Sequence, residues 1–230
     1  PNSIFDLTAP QPVSAAHWPQ RLARKYKDRI TAHWVQPART GAYGEFPASV
    51  PPSLLSALRS RGIERPYSHQ AQAITAAMQG QDVCVVTPTA SGKSLCYTVP
   101  VLSAAMTAGK KSLFLFPTKA LAQDQVAELL DINAAGELGV RAATFDGDTP
   151  GDQRQAIRLQ GDIVVSNPDM LHQAILPHHT KWAQFFENLQ FIVIDEIHTY
   201  RGVLGSHLAN VLRRLQRICD FYGVRPQYIL

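Results

Sequence analysis

Thr87-Pro88-Thr89-Ala90-Ser91-Gly92-Lys93-Ser94 is the stretch that decides the fold, read together with Ile194-Asp195-Glu196-Ile197-His198 further along the chain. The first ends in Gly-Lys-Ser after an apolar segment, Asp82 to Thr87, that reads as a strand. A turn and a helix start in that position wrap phosphates with backbone N–H groups. Thr89, Ala90, Ser91 and Gly92 would form the cradle, and Lys93 would reach the β- and γ-phosphates. Ser94 offers a hydroxyl to Mg²⁺, a hard cation that takes oxygen ligands from protein and phosphate and keeps several waters. The second stretch closes the apolar run Phe191-Ile192-Val193-Ile194 with two adjacent carboxylates at a strand's C-terminal end, where open α/β sheets hold their ligands. Asp195 would steady the metal and Glu196 would polarise an attacking water. Thr87 stands where G-x-x-x-x-G-K-[ST] has its first glycine. Alone, a Gly-Lys-Ser here is also what an ordinary strand-to-helix turn contains; the paired carboxylates are what favour nucleoside triphosphate chemistry.

The bulk numbers agree with one substantial core. The chain has 230 residues, 45% hydrophobic and 17% charged, which excludes a disordered or fibrous protein. No apolar run approaches the ~20 residues that span a bilayer, and the N-terminus lacks a signal-peptide pattern. A soluble, cytoplasmic protein without membrane partners is the expectation, nucleoid-associated in a bacterium. Cys84, Cys96 and Cys219 have no C-x-x-C spacing, so buried reduced thiols are expected. Lys plus Arg number 22 against 18 Asp plus Glu, for a net charge of +4. That balance fits a polyanionic partner. The basic runs Arg21, Arg24, Lys25, Lys27, Arg29 and Arg213, Arg214, Arg217 read either as solvated helix faces or as nucleic-acid contacts.

Residues 1–50 hold Pro1, Pro10, Pro12, Pro19, Pro37 and Pro47 with one short helix around Gln20 to Ile30, and read as an irregular, partly helical extension. Pro51-Pro52 opens a helix over Ser53 to Arg61, and a second runs from Ser68 to Met78. Strands are then predicted at 82–87, 112–116, 140–145, 162–166 and 191–195 with helices between them. This alternation predicts an α/β fold, a mostly parallel sheet with helices on both faces. Asn167-Pro168 reads as an N-cap and first helical position, and Gly205 to Tyr222 as a core helix. The final Tyr228-Ile229-Leu230 begins another apolar run, as expected for a domain of something longer.

With these segments in hand, the chain resembles the first RecA-like domain of a superfamily 2 helicase of the DExH type over residues 50 to 230. Pro66-Tyr67-Ser68-His69-Gln70 resembles the Q motif, Thr87 to Ser94 motif I, and Pro117-Thr118-Lys119-Ala120-Leu121-Ala122 motif Ia. Ser166-Asn167-Pro168-Asp169 resembles a later DNA-contact motif and Asp195 to His198 motif II. The tract from Asp195 to His207 is similar to the MrfA/YprA-like branch of DNA-repair helicases, related to RecQ and to the Lhr type. The resemblance implies a RecA-like P-loop ATPase domain over 51–230, truncated before motif III and lacking the second RecA-like domain of the same polypeptide, which closes over the nucleotide. It implies ATP and Mg²⁺ as cofactors, single-stranded or forked DNA as partner, 3′ to 5′ movement, and a role for His198 in coupling ATP state to the DNA site.

The residues themselves leave several readings open. Gln70 can donate to and accept from an adenine edge, and Tyr67 either stacks on the base or simply packs. Thr118 and Asn167 stand at predicted helix starts that attract phosphate, with Lys119 adding a cation; plain capping is the other reading. Gly147, within Asp146-Gly147-Asp148, would let backbone approach a strand, or lies in an ordinary turn. Tyr200 and Arg201 suit stacking on bases, or form a packed turn ending at Gly202. His198 lacks the paired histidines of a zinc site, and His178-His179 reads as an exposed loop. An RNA helicase of the same fold, a nucleic-acid-binding module without hydrolysis, and a P-loop ATPase unrelated to nucleic acid remain the rivals to a DNA motor.

Overall fold

A computed structural model of the chain describes residues 17–27, 29–32, 34, 40–87 and 91–230. It divides into two units, residues 1–40 and 41–230. The described part of the first holds α1 (Trp18–Tyr26), which buries none of its residues. The boundary falls earlier than the expected residue 50. Gly44 N–H donates to Pro66 O, Ser68 N–H donates to Ala42 O, and Val50 is buried, so residues 41–50 belong to the larger unit.

In that unit α2 (Pro52–Ser60) and α3 (Ser68–Met78) precede the sheet, followed by α4 (Ser94–Ala108), β1 (Lys111–Leu115), α5 (Lys119–Gly136) and β2 (Ala142–Thr144). Then come α6 (Gly151–Gln160), β3 (Ile163–Ser166), α7 (Pro168–Met170), α8 (Ala183–Glu187), β4 (Leu189–Ile194), α9 (Gly202–Phe221) and β5 (Gln227–Ile229). The strands form one sheet in the order β2-β3-β1-β4-β5, every pairing parallel. Period-two alternation divides its apolar residues between two cores. Phe114, Val165 and Val193 face a cluster with α2–α5, whereas Leu113, Leu115, Val164, Ile192 and Ile194 face another with α8 and α9. Burial on both faces is why these strands read as continuous apolar runs.

The segment predicted as the strand 82–87 departs from expectation. It pairs in parallel with β5 only around Val83: Val83 N–H donates to Tyr228 O at 2.8 Å, Leu230 N–H to Val83 O at 2.9 Å, and Val85 N–H to Leu230 O at 2.8 Å. It lies at the sheet's margin, so Val86 is 90% exposed and Cys84, expected to be buried, is exposed as well; Cys96 and Cys219 are buried. The segment around His178-His179, expected as an exposed loop, is helical on either side of a kink at His178, which is exposed as expected. A π-helical turn, Leu171–Ile175, runs into a 3₁₀ segment, Leu176–Trp182, and the Nδ1 of His179 lies 3.0 Å from the Tyr222 hydroxyl. Proline and the paired histidines concealed this element, because neither π nor 3₁₀ turns repeat with the α-helical period.

Candidate functional site

Since all strands run parallel, every strand end that carries a motif opens on one edge. The edge segment leads into Thr87 and the Gly-Lys-Ser turn, β1 into Thr118 and Lys119, β2 into Asp146, β3 into Asn167, and β4 into Asp195 and Glu196. A cavity of about 390 Å³ at this edge is lined by Thr87, Lys93, Tyr97, Asp195, Glu196 and His198, among others. It unites Lys93 with Asp195, Glu196 and His198. Pro88, Thr89 and Ala90, the middle of the expected phosphate cradle, lie outside the described residues.

The flanks of the cradle are tied down locally. Ser91 and Thr87 hydroxyls lie 2.6 Å apart. Gly92 adopts φ +72°, a left-handed conformation that only glycine takes without strain, and a Cβ there would meet Gln70 Nε2 at 2.7 Å. Gln70, the expected adenine reader, is anchored within the protein. It is 4% exposed; its Nε2 donates to Gly92 O at 2.8 Å and its Oε1 accepts the Tyr67 N–H at 2.7 Å. Both ends of the amide are engaged inside the protein, and each keeps one further hydrogen-bonding position, a second N–H and a second lone pair. Tyr67 is exposed and stacked on Tyr43, ring centroids 5.1 Å apart, which gives it an aromatic backing rather than a buried packing role.

The carboxylate side is organised by hydrogen bonds that sequence reading missed. Asp195 Oδ1 accepts the Glu196 N–H at 2.8 Å, and Oδ2 accepts the Tyr97 hydroxyl at 3.1 Å. That hydroxyl also lies 2.8 Å from Gln125 Oε1. A phenol has one proton, so Asp195 and Gln125 compete for it. Gln125 Nε2 donates to Glu128 Oε2 at 3.4 Å, and the Ser94 hydroxyl donates to Glu128 Oε1 at 3.3 Å. A chain of side chains from α4 and α5 therefore links Ser94 to Asp195. Burial pushes the Glu128 carboxyl above its ordinary value, against the lowering effect of the Ser94 and Gln125 hydrogen bonds. Burial first, and then the Asp195 carboxylate, raise the Tyr97 phenol. Ser94 donates a hydrogen bond to Glu128 and keeps its oxygen lone pairs, and Asp195 offers carboxylate oxygens, so this pair suits a cation completed by phosphate and water. Glu196 itself lies at φ +52°, with its Oε2 3.2 Å from His198 Nε2.

Along the other strand ends, both helix starts are capped by their own side chains. Thr118 Oγ1 accepts the Leu121 N–H at 3.4 Å, and Asn167 Oδ1 accepts the Met170 N–H at 2.9 Å. Lys119 is exposed and paired with Asp148. Arg201 is exposed, its Nε donating to His198 O at 3.0 Å. Tyr200 favours the packed reading over stacking: it packs against the second core, its buried hydroxyl has no partner among the described residues, and burial pushes its pKa up to about 12. An apolar ring next to a turn satisfies a core before it offers a face to a base.

The fold and this edge define a P-loop nucleotide-binding α/β domain. The chain belongs to the DEAD/DEAH box helicase family, whose model matches residues 67–228. It is 52% identical over 201 residues to the uncharacterized ATP-dependent helicase YprA of Bacillus subtilis (strain 168), covering 87% of this chain and 27% of that protein. It is 44% identical over 191 residues to the ATP-dependent helicase hrq1 of Schizosaccharomyces pombe, covering 81% of this chain and 18% of that one. Among solved structures, the DUF1998 helicase MrfA bound to DNA and AMPPNP aligns with a TM-score of 0.85 at 50% identity, over 91% of this chain and 30% of MrfA. The chain spans less than a third of each of these relatives.

Proposed function

We propose that this chain is the ATP-binding motor domain of an ATP-dependent DNA helicase acting in DNA repair, moving 3′ to 5′ on single-stranded or forked DNA in the cytoplasm. The observation that supports this most is the convergence of Lys93, Asp195, Glu196 and His198 on one cavity at the sheet edge that also carries Thr118, Lys119 and Asn167. Half-identity to a helicase solved with DNA and AMPPNP supports DNA over RNA. In this reading Lys93 and residues 89–94 hold the phosphates of ATP, with Tyr67 and Gln70 at the base. Ser94 and Asp195 would hold Mg²⁺, which offsets charge on the phosphate oxygens when bound. Glu196 orients and polarises the attacking water, and His198 steadies its carboxylate. The N–H groups at Thr118 and Asn167, with Lys119, Gly147 and Arg201, follow the phosphates of one strand.

We assign the larger unit, residues 41–230, to the first RecA-like domain and expect a second, in the same polypeptide, to close over the nucleotide and supply an arginine finger, worth roughly 10³–10⁵ in rate. The 230-residue chain by itself should bind ATP and hydrolyse it slowly. The test is steady-state ATPase of the full-length polypeptide with single-stranded DNA, matched RNA or neither, beside Lys93→Ala. Stimulation by DNA alone, lost in the variant, is the expected result. Equal stimulation by RNA would move the assignment to an RNA helicase, and stimulation by neither would remove the nucleic-acid half of the reading.

A further inference from the structure

Beyond β2 the chain passes through Phe145 into the loop 146–149, which meets a shallow crevice lined by Thr118, Lys119, Ser166 and Asn167 through Asp146. Arg154, near the start of α6, reaches back into this loop. Its Nε donates to Thr149 O at 2.8 Å, and its Nη2 donates to Asp146 O at 2.9 Å and Gly147 O at 3.1 Å. The guanidinium also lies over the Phe145 ring, 5.5 Å from its centroid. Three carbonyls and an aromatic face thus hold one side chain.

The direction of the remaining loop amides follows from peptide geometry. In a trans peptide the C=O and the N–H of the next residue point opposite ways. Asp146 O points at Arg154, so the Gly147 N–H points away from it. Of its neighbours, Asp146 N–H donates to Thr149 Oγ1 at 2.9 Å, Asp148 N–H to Asp146 Oδ1 at 2.9 Å, and Thr149 N–H to Asp146 O at 3.4 Å. Gly147 N–H alone in the loop has no partner among the described residues. Gly147 is exposed, and a Cβ built on it meets nothing within 4 Å.

We propose that Arg154 is a positioning residue for the strand-binding edge: by gripping three loop carbonyls it keeps the Gly147 N–H turned outward, as a donor to a nucleic-acid phosphate beside Thr118, Lys119 and Asn167. The inference rests on the reading that this edge binds a nucleic-acid strand. It gives Arg154 a task that its positive charge alone does not fill. A lysine supplies charge, but its point-like ammonium neither spans three carbonyls nor stacks on Phe145.

The test is binding of a fluorescent oligothymidylate to the full-length polypeptide over a range of salt concentrations, with nucleotide affinity measured in parallel. Arg154→Lys and Arg154→Ala should both weaken strand binding by roughly tenfold, the effect of losing one hydrogen bond to a charged group. Both should leave nucleotide affinity unchanged, and both should keep the wild-type slope of log K against log salt, because no phosphate-neutralising cation is removed. Hydrogen exchange should quicken in residues 146–149 and stay slow in the strands. Wild-type affinity in Arg154→Lys overturns the inference, as does a slope flattened by ~0.7, the signature of a direct phosphate contact. So do a parallel loss of nucleotide affinity and unchanged exchange in the loop. Wild-type protein that binds no strand overturns the proposed function as well, whereas binding wild type with indifferent variants overturns the role of Arg154 alone.

Discussion

Glu196 occupies the left-handed region at φ +52°, where a residue with a Cβ carries strain of about 1–3 kcal/mol. The conformation ends β4 abruptly and sets the carboxylate against His198 while its own N–H reaches Asp195. Strain of this kind persists where a side chain must point in one direction. Glu196→Gly is therefore expected to raise stability by about 1 kcal/mol relative to Glu196→Ala, which keeps the Cβ. Both variants should lose ATP turnover in the full-length polypeptide; equal denaturation midpoints would refute the strain. The meeting of Lys93 with Asp195 and Glu196 at one sheet edge was legible, because each stands in a short motif directly after a strand. Tyr97, Gln125 and Glu128 were not, because their connection exists only once α5 packs beside α4 and leaves no local signature. Arg154 was hidden for a related reason, since its partners are carbonyls, which every residue has.

At the scale of elements, the opposite ends of the strands are pinned by Asp162. Lys111 Nζ donates to its Oδ1 at 2.7 Å, and Arg141 donates to Oδ2 through its backbone N–H at 2.9 Å and Nε at 3.2 Å. This ties the starts of β1 and β3 to the residue ahead of β2. Burial raises the Asp162 pKa, but the hydrogen bonds from Arg141 and Lys111 outweigh it and hold the carboxyl below its ordinary value. A carboxylate depressed in the folded state stabilises above its unfolded pKa of about 3.9 and ceases to do so as pH falls through the lower folded value. Asp162→Asn should cost about 3–5 kcal/mol at neutral pH, because Lys111 is left buried without its partner. That deficit should shrink as pH falls below about 4, where the carboxyl protonates in the unfolded chain while it stays ionised in the folded one, and vanish as pH falls through the lower folded value; a pH-independent difference in denaturant midpoint would count against the pinning. The helix at Ser68–Met78 was legible, as were β1, β3 and β4, whose doubly buried apolar runs announce them. The margin strand was overread, because an apolar run does not reveal how many neighbours it has.

For the molecule as a whole, the larger unit holds two cores on opposite faces of one sheet, built entirely from its own residues. A chain beginning at Gly41 is expected to unfold cooperatively at the same denaturant midpoint as the 230-residue chain and to bind ATP equally well. A lowered midpoint would show that the first unit contributes to the fold. The sheet order has one further consequence. The segment leading to Lys93 and the strand leading to Asp195 are not neighbours, because β5 lies between them. Two interstrand spacings of about 4.8 Å separate them, so β5 works as a gauge block that fixes the width of the mouth between lysine and carboxylates. That width is measured in backbone, not in side chains, and it stays constant however the residues lining the mouth are exchanged.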